Sequence, residues 1–316
     1  MTEVMQRLSY RPGDRFAPIQ APQTIVASVF KQADPRQSSH LEGLNFDRNR
    51  DMFFVIINES KVMKMDMKTM EISVFYEFEN KGFRPAAVKI HKDGRIFVCG
   101  VDLVPAHRNE NGGIAVLSAD GRFEKMIVTG MSVNDMVFDK DGGIYFDNYQ
   151  GTPTNPTGSI EYLNPDFTEQ KTVVPNLASP NGICLSTDYK VLWVTEICSG
   201  VLHRITLDNP DYSTTPYKFE GFFGPDSASV DADDNLYVAM ARQGRIMVFN
   251  PSGFLIGQVL TPLRDQGLML GTTHPMVHPD KAELYFTCHD VNGDCGANIM
   301  RCGSYAKGNT NAFQFQ

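Results

Sequence analysis

The chain has 316 residues, 42% of them hydrophobic, and a formal net charge of -8. This suits a globular protein with a large core, and the acidic balance without any basic block argues against nucleic acid as a partner. No apolar run approaches the roughly 18–20 residues of a membrane span, and the opening MTEVMQRLSYRPGDRF lacks an apolar signal core, so no membrane partner and a cytoplasmic location are expected.

Residues 1–22 read as an N-terminal extension, and QTIVASVF (23–30) as one spare strand. From about residue 40 a pattern recurs. LNFDRNRDMFFVI, VKIHKDGRIFVCG, MVFDKDGGIYFDN, ICLSTDYKVLWVTE, ASVDADDNLYVAM and MVHPDKAELYFTC each run from an apolar strand through a polar turn into a strand with an aromatic. The aromatics are Phe53, Phe97, Tyr145, Trp193, Tyr237 and Tyr285, spaced 44, 48, 48, 44 and 48 residues apart. That period suits a four-stranded propeller unit. KVMKMDMKTMEISVFYEF and RIMVFNPSGFLIGQVL read as outer hairpins, and helical periodicity is nearly absent. The expected fold is therefore all-β: a six-bladed β-propeller of four-stranded antiparallel blades, forming one domain over 23–316. The spare strand would complete the last blade and remove an open sheet edge. A two-domain β-sandwich does not explain the even period.

Eleven residues before each aromatic stand Glu42, Ala86, Asn134, Asp226 and His274, and twelve before Trp193, whose turn is one residue longer, stands Asn181. In a propeller this slot opens onto the central axis, so residues far apart in sequence converge there. Two carboxylates and two amide oxygens in one pocket repel one another and are costly to desolvate. A hard divalent cation resolves both problems, and Ca²⁺ takes oxygen ligands of this kind. Slots without Cys and with a single His disfavour zinc and copper; Mg²⁺, Mn²⁺ or Zn²⁺ stand as substitutes. Taken singly, each residue has a plainer reading, since polar residues at strand starts satisfy turns and Asn-Gly in SPNGI is an ordinary turn dipeptide. Four oxygen-bearing residues at one offset favour the cation. Asp135 reads equally as a supporting carboxylate or a turn residue, and Asp147 as a supporting carboxylate. His274 either lines the channel, binds substrate, or is a hydrogen-bonded core histidine.

Other chemistries find little support. DKDGG and DADDN lack EF-hand spacing and read as hairpin turns. No nucleophile elbow, Walker loop or dinucleotide fingerprint occurs. Cys99, Cys184 and Cys288 lie in apolar runs and read as buried reduced thiols; a zinc site from Cys288, Cys295 and Cys302 near His289 lacks any CxxC pair.

LEGLNFD (41–47), SPNGICLS (179–186) and GPDSASVD (224–231) resemble the SMP-30/gluconolactonase (regucalcin-like) family, and IHKDGRIFVC, VLWVTE, DDNLYVAM, QGRIMVFN and AFQFQ look most like its bacterial drug-responsive lactonase branch. The resemblance runs from about residue 40 to the end. It implies a six-bladed propeller with a divalent metal, usually calcium, at the channel mouth. By motif, the family's metal ligands fall on Glu42, Asn134, Asn181 and Asp226, with Ser227 as an added oxygen donor, and Asp226 inherits the proton-transferring role. The branch also carries a longer loop before NDM that helps bind a second calcium. MIVTGMSVNDM is shorter and lacks those oxygens, so a second site at Glu110 or Gly112 is not expected. The activity implied is metal-dependent hydrolysis of a lactone or related cyclic ester, a small-molecule substrate. Alternatives on the same scaffold are hydrolysis of an organophosphate ester or of a cyclic diketone C–C bond, and a non-enzymatic interaction module.

Overall fold

The computed structural model describes residues 22–36, 39–104, 109–209, 213–221, 223–290 and 295–316; most of the expected N-terminal extension lies outside them. The described chain is all-β apart from short 3-10 turns. After β1 (Gln23–Val26) and β2 (Ser28–Asp34), strands follow in fours. The first meander is β3 (Leu41–Phe46), β4 (Met52–Ile56), β5 (Lys61–Met65) and β6 (Ile72–Glu77). The second is β7 (Arg84–Ile90), β8 (Ile96–Val101), β9 (Gly113–Leu117) and β10 (Phe123–Thr129). The third is β11 (Met136–Phe138), β12 (Ile144–Asn148), β13 (Gly158–Leu163) and β14 (Gln170–Leu177). The fourth is β15 (Pro180–Leu185), β16 (Val191–Glu196), β17 (Val201–Thr206) and β18 (Thr214–Lys218). The fifth is β19 (Pro225–Val230), β20 (Leu236–Met240), β21 (Arg245–Phe249) and β22 (Leu255–Leu260). The last is β23 (Gly271–Val277), β24 (Glu283–His289) and β25 (Ala297–Gly303), completed by β2. The first and second meanders join into one sheet through a single parallel bridge, Gly43 to Ala87.

The segment 23–30 is not one strand. It breaks at buried Ala27, whose N–H bonds Leu260 O. β1 adds in parallel to the outer edge of the fifth meander, while β2 crosses to pair antiparallel with β25. One short linker therefore ties the chain's start to two neighbouring sheets.

The 44–48-residue spacing has a packing cause. Phe53 packs among Val88, Ile96 and Val98 of the second meander. Phe97 sits against Phe138 and Ile144 of the third, Trp193 against Val230 and Leu236 of the fifth, and Tyr237 against Leu284 and Phe286 of the last. Tyr285 returns to Phe46 and Met52 of the first. Each aromatic fills the gap between its own sheet and the next, where a large ring buries the most apolar surface. The first strands follow the same order: β3 touches β7, β11 touches β15, β15 touches β19, β19 touches β23, and β23 touches β3. No helix among the described residues is long and apolar enough to cross a membrane.

Candidate functional site

The polar slot falls where the inner strands are irregular. The β15/β16 register shifts between Pro180 and Ile183, β19/β20 between Pro225 and Ala228, β23/β24 between Thr272 and Pro275, and β3/β4 between Glu42 and Asn45. An extra residue in one strand of a pair re-aims side chains and leaves backbone groups to be satisfied otherwise. Side chains on the second strand satisfy them. Thr195 Oγ1 accepts the Gly182 N–H at 2.7 Å and donates to Asp226 O at 2.7 Å. Thr287 Oγ1 accepts the His274 N–H at 3.0 Å. Asp147 accepts the N–H groups of Asn134 and Asp135 at 2.7 and 2.8 Å.

Two glycines allow the strands to converge. Gly43 has φ +64°, and a Cβ there would lie 2.7 Å from Ala87 Cα. A Cβ on Gly182 would lie 2.7 Å from Asp226 O and Ser227 Cα. Asn181-Gly182 is thus part of β15, not a turn, and its glycine admits the backbone of β19.

Glu42, Asn134, Asn181, Asp226 and Ser227 are all buried. Burial pushes the Glu42 carboxyl well up, and the nearby Asp226 charge pushes it further. Asp226 is likewise raised by burial, opposed by hydrogen bonds from the Ser227 N–H and the Asn181 side chain. Asn181 Oδ1 and Ser227 Oγ are buried with no hydrogen-bond partner among the described residues. Such orphaned oxygens beside two mutually repelling carboxylates fit a cation and fit little else. Among the described residues no three His, Cys, Asp or Glu side chains form a metal cluster. The expected set has only two such side chains, Glu42 and Asp226; its other members are two amides and a hydroxyl.

Beneath this group, Asp135 is fully buried and paired to Lys89 Nζ at 2.7 Å. It is no turn residue. Asp147 is also fully buried and raised by that burial. His274 is fully buried, its Nδ1 is 3.9 Å from Glu42 Oε2, and neither ring nitrogen has a hydrogen-bond partner among the described residues. The hydrogen-bonded core reading of His274 therefore does not hold. Burial drives its pKa well down, so the ring stays neutral. Above the group lies a cavity of about 440 Å³ lined by Asp226, His40, Phe223, Arg242, Thr273 and His289, among others.

Residues 126–290 match the model of the SMP-30/gluconolactonase/LRE-like region. The chain is 41% identical over 304 residues to the lactonase drp35 of Staphylococcus aureus, covering 93% of this chain and 91% of that one. The chain belongs to the SMP-30/gluconolactonase/LRE-like family. Among solved structures it is similar to regucalcin, described as a calcium-binding protein, from Agrobacterium tumefaciens, with TM-score 0.69 at 16% identity over 91% of this chain and 99% of the other. It is also similar to a gluconolactonase from Xanthomonas campestris, with TM-score 0.65 at 16% identity over 90% of this chain and 98% of that one. At such identities the likeness shows the fold alone, all-β and propeller-like.

Within this family member, several site residues escaped the sequence reading. Lys89 carried a signal, an isolated cation between Val88 and Ile90 in an apolar strand. So did Thr195 and Thr287, each two residues after an aligned aromatic, as is Asp147. His40, His289 and Arg242 lie in strand ends and turns outside any recurring slot, and only the fold brings them to one cavity.

Proposed function

We propose that the protein is a lactone hydrolase that depends on a divalent cation, calcium first, on a six-bladed propeller whose single domain spans 23–316. Six four-stranded meanders, with inner strands that touch in cyclic order, support that architecture. The observation that carries the function is the buried pairing of Glu42 with Asp226 beside the unpartnered oxygens of Asn181 and Ser227. The lactonase relative supports the substrate class.

Glu42, Asn134, Asn181, Asp226 and Ser227 would hold the ion. When bound, it supplies a Lewis acid for a lactone carbonyl and for the negative charge that develops on its oxygen. Asp226 takes the proton of the attacking water at a carboxylate oxygen and returns it to the departing alkoxide. The Asn181 side chain and the Ser227 N–H orient that carboxylate. Asp147 fixes the backbone of Asn134, and the Lys89–Asp135 pair offsets negative charge below the site. His274 stays neutral and lines the axis beside Glu42.

Chelated protein reloaded with calcium, then tested on simple lactones, cyclic diketones and phosphotriesters, decides the reading. Lactone turnover that vanishes with chelator and returns with calcium is expected. Turnover only of another class, or lactone turnover indifferent to chelator, would overturn it.

A further inference from the structure

We propose that the mouth cavity holds a carboxylate-binding subsite built around Arg242, so that the favoured lactone carries an acid group on its ring; this rests on the lactonase reading above. The cavity that Asp226 lines is also lined by Arg242, Phe223, His40 and His289. The guanidinium carbon of Arg242 lies 4.4 Å from the Phe223 ring centroid, a cation–π contact that fixes the group in place. No carboxylate among the described residues forms an ion pair with it. Arg242 stands in a turn with φ +55°, one of twelve described non-glycine residues with a left-handed backbone.

The two imidazoles add direction. The His40 and His289 rings stand 4.0 Å apart. His40 Nε2, which faces Glu42 Oε1 at 4.0 Å, and His289 Nδ1 are buried without a hydrogen-bond partner among the described residues. Arg242 lines the same cavity as both rings. A forked guanidinium with a spare donor edge beside imidazole nitrogens matches a planar carboxylate. A point charge would not need such an arrangement, and a neutral alkyl substituent would leave the groups unpaired. The cavity's volume of about 440 Å³ admits a small ring with its substituent. With the protein at net charge -8, an unpaired cation here also offsets the repulsion an anionic substrate would meet.

The test uses two five-membered lactones that differ only in a ring substituent, carboxylate or primary amide, assayed with calcium present. Wild-type protein should favour the carboxylate by about tenfold or more in kcat/KM, the scale of one charge-assisted contact. Arg242→Met should collapse that ratio toward one, and Arg242→Lys should restore part of it. Arg242 is exposed, so both variants should melt like wild type. Equal turnover of the two lactones by wild type, or a ratio unchanged in Arg242→Met, overturns the subsite. If wild type hydrolyses neither lactone, the lactonase reading falls and calorimetric titration with the ring-opened hydroxy dicarboxylate still decides the subsite. Binding to wild type at least tenfold tighter than to Arg242→Met supports it; equal binding, or none, overturns it.

Discussion

The same six inner strands begin and end in opposite ways. Near their starts, Glu42 and Asp226 are buried carboxylates that repel each other, and Asn181 Oδ1, Ser227 Oγ and both ring nitrogens of His274 are buried without a hydrogen-bond partner among the described residues. At their last, Phe46, Phe138, Leu185, Val230 and Val277 surround a small apolar cavity of about 100 Å³ with Phe313 of the C-terminal segment. Polar groups there pair with one another, apart from the buried Ser229 Oγ: Gln314 Nε2 donates to Asn45 Oδ1 and Phe46 O, both at 2.9 Å, and Tyr189 donates to Asn311 O at 2.6 Å. One end is sealed and stabilising, while the other holds groups whose burial is unfavourable unless a ligand arrives. Unpaired buried polar groups cost stability, so their concentration at one end marks that end as the working one.

Substituting the mouth should split activity from stability. Asp226→Asn removes the proton carrier and half of the carboxylate pair, and should lower turnover by about 10³-fold, the upper scale for a group that stabilises developing charge. Without metal it should also melt at a higher temperature than wild type, because Glu42 loses its like-charged neighbour. Initial rates and melting curves in chelator check both signs, and an unchanged rate breaks the contrast between the two ends.

Lys89 sits between the ends, lining the lower cavity while pairing with Asp135. Lys89→Met strands buried Asp135 without its cation and should destabilise the fold by about 3–5 kcal/mol, read from urea unfolding. At the sealed end, Phe313→Ala should cost about 3 kcal/mol through lost packing yet leave calcium affinity within about twofold of wild type. A large loss of calcium binding there would mean the ends are not separable.

The smallest effect concerns the end of β2, away from both cavities. The Arg36 guanidinium holds the Asp34 carboxyl down to about 2 from its usual 3.8. A depressed carboxylate stabilises the fold above pH 4 and stops doing so as pH falls through 2. Because Arg36 is 58% exposed, solvent screens the pair and the contribution is about 1 kcal/mol. Asp34→Asn should therefore melt lower than wild type at pH 6 and nearly the same at pH 2.

Much of this contrast was legible in the sequence because both ends follow a repeat. A strand, a turn and an aromatic recur at nearly constant spacing, and one position counted back from the aromatic picks out Glu42, Asn181 and Asp226. The same period hid two things. The start of the chain breaks at Ala27 into strands serving different sheets, a choice set by pairing partners more than 200 residues away. The mouth residues His40, Arg242 and His289 sit at strand ends and turns, where nothing local distinguishes a cavity wall from a solvated loop. Asn-Gly at 181–182 also misleads when read locally, since its glycine serves a close strand approach. Asp135 was ambiguous until Lys89, 46 residues earlier, was seen beside it.

Calcium titration into chelated protein, followed by calorimetry for wild type, Glu42→Gln and Asp226→Asn, tests the mouth as a cation site most directly. A single site in wild type, weakened at least a hundredfold by either substitution while the protein stays folded, is the expected result. Equal affinity in all three proteins, or no calcium uptake by wild type, would contradict it.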